Sequence, residues 1–547
     1  MRPMDASRNR EVIVAEQGSA SPPVQHIDED IEKLHEMGYA QELSRRMSRF
    51  SNFAISFTII SILSGCLTLY QYGLLHGGPP VMLWGWLLVG TIVIFVGMSM
   101  AEICSSFPTA GGLYYWAAKL APGKSAPIWS WFTGWFNLLG QVAITAGISF
   151  GCAFSISAFI AVYTGDSNWQ SPGHVIAILA VVLFVQGLLN TFGIRLVALL
   201  NDISVWWHII GVAVIVIILF VAPSSHSHQS ASFLFGGEGW NAFKGLSGFS
   251  MPLYIFLIGL LNAQYTFTGY DASAHVTEET IQANISGSKG IVNSIWISMV
   301  AGFILLVGVS YAIPHVFPVT IGGVEYTAYA DVAANSVPWA VIFEYATGRT
   351  VGLLLILVVI VAQFFCGMSS VTANSRMLYA FSRDGAVPFS NFWHHVSKGS
   401  RVPVRSAWFG AVGAFILAVP YLWNTVAYFA ITSIAVIGLY IAYLIPVFLR
   451  RINPSAFKPG PWVLGSYGVV LNWIAIIWVV FIVIMLMLPQ AAPGNTVATF
   501  NFAPLAVLVV VGFAGIWYAV SARKWFHGPK VQGTPEELAE IERELSL

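Results

Sequence analysis

The segment FAISFTIISILSGCLTLYQYGL (Phe53–Leu74) is long enough to cross a bilayer, yet Ser64-Gly65-Cys66 interrupts its apolar run with small and polar residues. A spanning helix can break only where protein or a wet cavity satisfies its N–H and C=O groups. The stretch NAQYTFTGYDASAHVTEET (Asn262–Thr280) is interrupted in the same way at Phe267–Asp271. Breaks in the first segments of two successive five-segment blocks indicate an inverted-repeat carrier of small molecules, with the substrate site between the breaks.

The composition is that of an integral membrane protein. Of 547 residues, 56% are hydrophobic and 9% charged, whereas about 25% of residues are charged in soluble domains. Segments of about 20 apolar residues occur about twelve times, which predicts an all-α fold embedded in the lipid bilayer. The formal charge of zero gives no indication of a nucleic-acid partner, and no oligomeric state is indicated.

Cysteine and charge patterns refine this prediction. The four cysteines lie in apolar runs and suggest buried thiols, so we expect no disulfide framework, no bound metal and no cofactor. With the N-terminus inside, most Lys and Arg residues fall on the cytoplasmic side, as the positive-inside rule requires. Both termini are therefore predicted to be cytoplasmic, and the plasma membrane is the expected location.

The chain divides into five predicted parts. Residues 1–50 form a cytoplasmic tail with a juxtamembrane amphipathic helix near 31–47. The other parts are 51–222 with helices 1–5, 248–450 with helices 6–10, 451–522 with helices 11 and 12, and a cytoplasmic tail at 523–547.

The first break has two readings. Ser64 and Gly65 allow the helix to unwind, and the N–H groups that begin the outer half-helix suit a carboxylate. Alternatively, Gly65 is a packing glycine of the kind common between membrane helices.

The second break carries more chemistry. Thr266, Thr268 and Gly269 weaken the helix, and Asp271 is an ionisable residue inside the membrane, which makes it a functional candidate. The aromatic rings of Tyr265, Phe267 and Tyr270 could cover an ammonium or an aliphatic side chain. The alternative for Asp271 is a helix-terminal residue at the cytoplasmic end.

Two further motifs resemble a known family. MAEICSSFPTAGGLYYW (Met100–Trp116) and SRMLYAFSRDGAVP (Ser375–Pro388) resemble the second-helix and eighth-helix signatures of the amino acid–polyamine–organocation superfamily. The sequence around them is similar to the amino acid/choline branch, which includes plant bidirectional amino acid and GABA transporters and fungal GABA and choline permeases.

The resemblance implies a five-plus-five inverted repeat with broken helices 1 and 6. It implies that the substrate carboxylate meets N–H groups around Ser64, Gly65 and Cys66. The amine would meet carbonyls near Ser61 and Ile62 and those of Tyr265–Thr268. Phe267 matches an aromatic gate residue, and Asp271 matches a position that is acidic in some proton-sensing relatives.

His208 matches a position that is lysine in several proton-linked relatives, when NDISVWWH is aligned by its first three residues. An unperturbed imidazole titrates near pH 6.5 and can change charge in the working range. One reading makes His208 a proton-linked switch that bridges the fifth helix to the broken first helix. The other makes it a neutral histidine bonded to a backbone carbonyl, in a packing patch with Trp206 and Trp207.

Other polar residues of the spanning segments have less specific roles. Ser369, Ser370 and Thr372 could form a sodium site or bond neighbouring helices, and a cationic His208 would disfavour sodium. Gln141 and Asn374 are candidates to line the pocket. The charged signature residues are expected to pair and gate the inner vestibule: Glu102, Arg376, Arg383 and Asp384.

The predicted function is secondary transport of amino acids or GABA by alternating access, proton-linked or by exchange. The alternatives are a choline or polyamine transporter of the same superfamily and a sensor or channel without net carriage. An enzyme is not predicted, because no clustered nucleophile, metal ligands or paired carboxylates occur on one membrane face.

Overall fold

A computed structural model describes residues 22–221, 228–494, 496–497 and 499–546, without the side chains of 22–25 and 546. Residues 1–21 of the predicted N-terminal tail, residue 222 of the first block and residue 547 lie outside the described residues. In the described part, helices dominate, and one antiparallel hairpin pairs β1 (Val319–Ile321) with β2 (Val324–Tyr326).

The helices carry the numbers α1 to α23 in chain order. They are α1 (Pro22–Glu36), α2 (Arg49–Ile60), α3 (Ile62–Thr68), α4 (Tyr70–Leu75), α5 (Gly78–Ser106), α6 (Leu113–Leu120), α7 (Ala126–Thr164), α8 (Pro172–Leu189), α9 (Ile194–Val221), α10 (Ala231–Phe235), α11 (Gly237–Phe243), α12 (Pro252–Gly259), α13 (Leu261–Thr266), α14 (Ala272–His275), α15 (Ala283–Tyr311), α16 (Tyr329–Ala334), α17 (Pro338–Arg383), α18 (Ser390–Trp393), α19 (Val404–Ala418), α20 (Val426–Ile452), α21 (Gly468–Met487), α22 (Ala503–Val520) and α23 (Pro535–Ser546).

Eleven helical stretches of the described residues are long and apolar enough to cross a membrane. They match eleven of the about twelve predicted segments in order. The remaining predicted segment, the sixth, begins the part 248–450 and consists of α12 and α13, which are each too short to span. The difference in number therefore arises from the break itself.

The first helix breaks three residues before the predicted position. Helix α2 ends at Ile60, Ser61 adopts left-handed angles (φ 43°, ψ 85°), and α3 begins at Ile62. The prediction of a break at Ser64-Gly65-Cys66 is thus wrong in position, because these residues lie inside α3. The Ser61 hydroxyl caps α3 by accepting the Ser64 N–H at 3.2 Å.

The second break lies where the sequence predicted it. Helix α13 ends at Thr266, Gly269 has φ 83°, and α14 begins after Asp271. A Cβ on Gly269 would overlap the Ile59 side chain of α2. Gly269 therefore provides both the turn and the close approach of the two broken helices.

Four long helices surround the breaks. The third, fifth, eighth and tenth spanning segments are α7, α9, α17 and α20, and α7 packs along both α17 and α20. Helix α9 packs on α2 and on α17. This arrangement places both breaks in the interior of the bundle.

The described parts of the two tails dock together at one end of the bundle. The predicted juxtamembrane helix ends at Glu36, earlier than expected, because Gly38 turns the chain with φ 95°. Past this turn, the Gln532 N–H donates to the Gly38 carbonyl at 2.9 Å, and the Ala40 N–H donates to Gln532 Oε1 at 2.7 Å. The C-terminal tail thus holds the N-terminal segment in place.

Candidate substrate site

The two breaks form one buried centre. The predicted residues at both breaks are at most 2% exposed, so this conformation is closed on both sides: Ser61, Ile62, Ser64, Cys66, Tyr265, Thr266, Phe267, Thr268 and Asp271. A Cβ on Gly65 would overlap the Thr266 side chain, so Gly65 allows α3 and α13 to pack closely.

His208 contacts the break in the first helix directly. Its Nε2 lies 2.6 Å from Ser61 Oγ, and its Nδ1 lies 2.7 Å from the Ser204 carbonyl. Each interpretation of His208 predicted one contact, and both contacts are present: the bridge to helix 1 and the bond to a backbone carbonyl. The tryptophans do not share this environment, because Trp206 and Trp207 are 59% and 36% exposed on the outer face of α9.

Asp271 lies in a polar cluster just past the second break. The Tyr443 hydroxyl donates to Oδ1 at 2.7 Å, and Gln141 Nε2 donates to Oδ2 at 2.9 Å. His275 Nε2 lies 3.2 Å from the same Oδ2. Asp271 is helix-terminal, as one reading held, but it is fully buried and not at the cytoplasmic surface.

His275 and Tyr443 belong to this cluster but are not among the residues predicted from the sequence. The spacing of His275, four residues after Asp271, was the available signal, because such residues share a helix face. Tyr443 gave no signal, since it lies on α20 and reaches Asp271 only through the tertiary fold.

Aromatic and amide groups complete the surroundings. Phe267 packs on Trp86 with ring centroids 4.5 Å apart, and the Tyr440 hydroxyl donates to the Phe267 carbonyl. Within the described part of the chain, Tyr265 Oη and Gln363 Oε1 are buried without a hydrogen-bond partner. Buried polar atoms normally have partners, so these two atoms are available to a bound molecule.

The hydroxyls predicted as a possible ion site bond neighbouring helices. Ser369 Oγ donates to Asn201 Oδ1 at 2.5 Å, Thr372 Oγ1 donates to Asn190 Oδ1 at 2.6 Å, and Ser370 Oγ lies 2.8 Å from Thr145 Oγ1.

Asn374 packs against Gly410 of α19. It lies eight residues beyond Cys366, whose Sγ contacts the Ile59 carbonyl at 3.1 Å, and eight residues correspond to about 12 Å along a helix axis. Its role in lining the pocket stays a prediction.

Most of the predicted gating residues form ion pairs. These pairs lie between the two breaks and the end of the bundle that carries the tails. Arg376 binds Glu279 through two contacts of 2.9 Å, and Arg383 Nη2 binds Glu278 at 3.0 Å. Glu102 lies apart from them and pairs with Arg450, whose Nε lies 3.9 Å from Glu102 Oε2, while its Oε1 accepts the Leu464 N–H at 3.1 Å.

The Arg376–Glu279 and Arg383–Glu278 ion pairs form one layer, and Asp384 connects this layer to the N-terminal segment. Its carboxylate accepts hydrogen bonds from Tyr39 at 3.0 Å and Tyr114 at 2.8 Å. Burial raises the pKa of Asp384 above its ordinary value, although the Arg383 charge opposes the shift.

Comparisons with known proteins match this chain over most of its length. A family model described as Amino acid permease matches residues 47–513. Amino-acid permease BAT1 of Arabidopsis thaliana is 44% identical over 502 residues, covering 91% of this chain and 95% of that protein. Its homolog in Oryza sativa subsp. japonica is 42% identical over 508 residues, covering 91% and 95%. The GABA-specific permease of Saccharomyces cerevisiae is 30% identical over 517 residues, covering 93% and 87%.

Proposed function

This chain belongs to the amino acid permease family, and from that premise we propose that it carries GABA and related amino acids by proton-linked alternating access. Family membership implies transport and not enzymatic catalysis. The observation that supports the proposal is that two broken helices contact each other in the buried interior. A layer of ion pairs lies on one side of this contact. A site of this kind is expected in a carrier that occludes its substrate.

The substrate carboxylate is proposed to bind at the start of α3. The first N–H groups of a helix have no partner inside the helix, and those of Ser64 and Gly65 both bond to Ser61. The N–H groups of Ile62 and Leu63 therefore replace those of Ser64, Gly65 and Cys66 as the proposed donors. The amine would meet carbonyls where α2 and α13 end, with Phe267 as the cover.

His208 is the proposed link between protonation and the first helix. Its Nε2 reaches the hydroxyl of the one residue whose left-handed angles create the break, Ser61. A charge on this buried ring would change the hydrogen bonds that hold the break. The hydroxyls of Ser369 and Thr372 donate to residues outside α17, as expected where hydroxyls bond neighbouring helices.

Location and topology complete the proposal. The docking of both tails at one end of the bundle, together with the positive-inside pattern, supports cytoplasmic termini, and the plasma membrane is the proposed location. The division into repeats 51–222 and 248–450 is part of the same proposal, supported by the matched breaks.

The test is counterflow uptake by the purified protein in liposomes loaded with unlabelled amino acid. Labelled GABA should exchange, and neutral amino acids should compete with it. Competition by choline or a polyamine alone would contradict the proposal, because those molecules lack the carboxylate.

A pair of variants on α9 tests the link to His208. H208Q should flatten the dependence of uptake on pH, whereas W206F should keep the wild-type profile, since Trp206 is 59% exposed on the outer face of the same helix. An unchanged profile in H208Q would remove His208 from the proposal.

A further inference from the structure

A groove with four arginines in its lining lies at the end of the bundle that carries the tails. Its volume is about 610 Å³, which is within the range of pockets that hold small molecules. Helix α1, the N-terminal segment, the start of α9 and the loop before α19 all contribute to it, and none of the described residues that line it is acidic. This arginine groove is defined by Ile27, Ile31, Arg45, Arg46, Arg195 and Arg401.

Two of the four arginines are bound to the protein itself. Arg45 donates to the Thr280 carbonyl at 2.5 Å, and its Nη1 lies 3.8 Å from Asp30 Oδ2. Arg401 donates through Nε to the Glu42 carbonyl at 2.7 Å, and its charge is attracted by the Glu42 carboxylate. Both guanidinium groups therefore hold the walls of the groove in place, with a carboxylate near each of them.

The other two arginines, Arg46 and Arg195, have no carboxylate partner in the part of the chain that the structure describes. Arg46 Nε donates only to a neutral group, the Ser44 hydroxyl, at 2.9 Å. Both side chains are exposed, and a guanidinium stays protonated in proteins. The groove therefore presents two positive charges that a ligand can neutralise.

These two charges lie at the boundary between the spanning helices and water. Arg46 lies three residues before α2, and Arg195 is the second residue of α9, and both helices begin spanning segments. The two helix starts are joined, because Ser51 Oγ donates to Asp202 Oδ2 at 3.1 Å. At this level a membrane presents the phosphate groups of its lipids.

Arg195 is also the first residue of a lipid-facing stripe along α9. Leu199, Ile203 and Trp206 follow it at spacings of one helical turn, so they share its face, and all three are exposed apolar side chains. In a bilayer this stripe contacts acyl chains. A lipid whose chains lie along the stripe has its phosphate group beside Arg195.

We propose that the arginine groove binds the phosphate group of an anionic phospholipid, with Arg46 and Arg195 as its ligands. Arginine forms paired hydrogen bonds with phosphate oxygens, and basic pockets between spanning helices are typical sites for anionic headgroups. The bound lipid links the N-terminal segment to α9. This site is separate from the candidate substrate site and does not depend on which molecule is transported.

The position of Arg46 connects the lipid to the broken sixth segment. The Arg46 N–H donates to the Glu279 carbonyl at 2.8 Å, and the Glu279 carboxylate pairs with Arg376 in the layer of ion pairs. A headgroup on the Arg46 side chain therefore holds the N-terminal segment against this layer.

The test measures the affinity of the purified full chain in detergent for dioctanoyl phosphatidic acid, by thermophoresis. R46Q/R195Q should bind about 30-fold more weakly than the wild type, because each basic residue near an anionic surface contributes about a fivefold factor. R195Q alone should lose about fivefold, and it provides the result if the double variant is unstable, since Arg195 is exposed.

R523Q/K524Q is the matched control. Arg523 and Lys524 are exposed just beyond the last spanning helix and lie outside the arginine groove. This variant removes the same amount of charge as R46Q/R195Q, so it should keep the wild-type affinity if the groove is a specific site.

Two further compounds identify the source of the phosphate. Dioctanoyl phosphatidylcholine should bind more weakly than phosphatidic acid, because its choline group neutralises the phosphate. Inorganic phosphate at the same concentration should not displace phosphatidic acid, because it has no chains to contact the apolar stripe of α9.

Hydrogen exchange locates the bound lipid. Phosphatidic acid should slow exchange in residues 41–47 and 191–197 of the wild type, because a ligand that joins these segments reduces their local opening. It should leave both segments unchanged in R46Q/R195Q and should not affect residues 520–527 in either protein.

Three outcomes would overturn the proposal. R46Q/R195Q could bind phosphatidic acid as tightly as the wild type. R523Q/K524Q could lose as much affinity as R46Q/R195Q, which would reduce the effect to general attraction between basic residues and anionic lipid. Inorganic phosphate could displace phosphatidic acid, which would make the groove a site for a free anion. None of these results bears on amino acid transport, which counterflow measures separately.

Discussion

The substitution E279Q should open the end of the bundle that carries the tails. Arg376 and Glu279 form a two-contact ion pair, with side chains 1% and 0% exposed. Arg376 belongs to α17, and Glu279 follows the inner half of the broken sixth segment. The substitution keeps the size of the side chain but leaves the Arg376 charge without its partner.

The expected size of the effect follows from burial. Removing one partner of a buried ion pair costs about 3–5 kcal/mol, because the remaining charge stays desolvated. An open conformation would return Arg376 to water, so this cost falls on the closed conformation alone. Since 1.4 kcal/mol is a factor of ten, a shift of about 3 kcal/mol favours opening by about 100-fold.

Hydrogen exchange of the protein in lipid nanodiscs measures this shift. Peptides covering 270–282 should exchange about 100-fold faster in E279Q than in the wild type, because local opening controls their exchange. The double variant E279Q/R376Q should exchange more slowly than E279Q, since no charge is left unpaired. E325Q is the matched control, because Glu325 is exposed on β2.

Two results would refute the reasoning. Exchange in 270–282 could rise less than about threefold, which would mean that the pair contributes little to closure. Exchange could instead rise equally in all helices, which would assign the pair to the stability of the whole fold and not to a gate.

G269A should destabilise the purified protein and slow counterflow exchange, because a left-handed residue with a Cβ costs about 1–2 kcal/mol and this Cβ would also overlap Ile59. G399A is its control, since Gly399 has φ 80° but open space around it; equal melting temperatures of the two variants would contradict the packing argument. Deleting the chain after Pro529 should speed hydrogen exchange in 38–47, because it removes the Lys530 N–H that donates to Asp384 at 3.0 Å. Unchanged exchange there would show that the N-terminal segment docks without the C-terminal tail.

The spanning helices and the second break could be read from the sequence. Long apolar runs predict helices in lipid because every backbone group must be satisfied within the segment. The stretch Phe267–Asp271 combines a glycine, two polar residues and an ionisable one, and the break indeed lies there. Local composition was sufficient in both cases.

The position of the first break could not be read in this way. Ser64-Gly65-Cys66 is the more obvious run of small residues, but the chain breaks at Ser61, which adopts a left-handed conformation that few residues other than glycine favour. Ser61 is held by His208, which lies 147 residues later in the chain. A tertiary hydrogen bond thus decides where the helix ends.

The surroundings of His275 depend on a similar contact. Spacing along the chain can suggest that Asp271 and His275 lie close together, but only the structure shows the Ala110 carbonyl that lies 2.9 Å from His275 Nδ1. That carbonyl belongs to the loop after α5, which the sequence identifies as a signature without indicating what it touches.

The two histidines hold the two breaks through different contacts. His208 joins the Ser61 hydroxyl to the Ser204 carbonyl, whereas His275 joins the Ala110 carbonyl to the Asn137 amide. His275 therefore holds the inner half of the sixth segment against the loop after α5 and against α7. The layer of Arg376 and Arg383 pairs lies directly beyond it, so movement of α14 and the opening of this layer should be coupled.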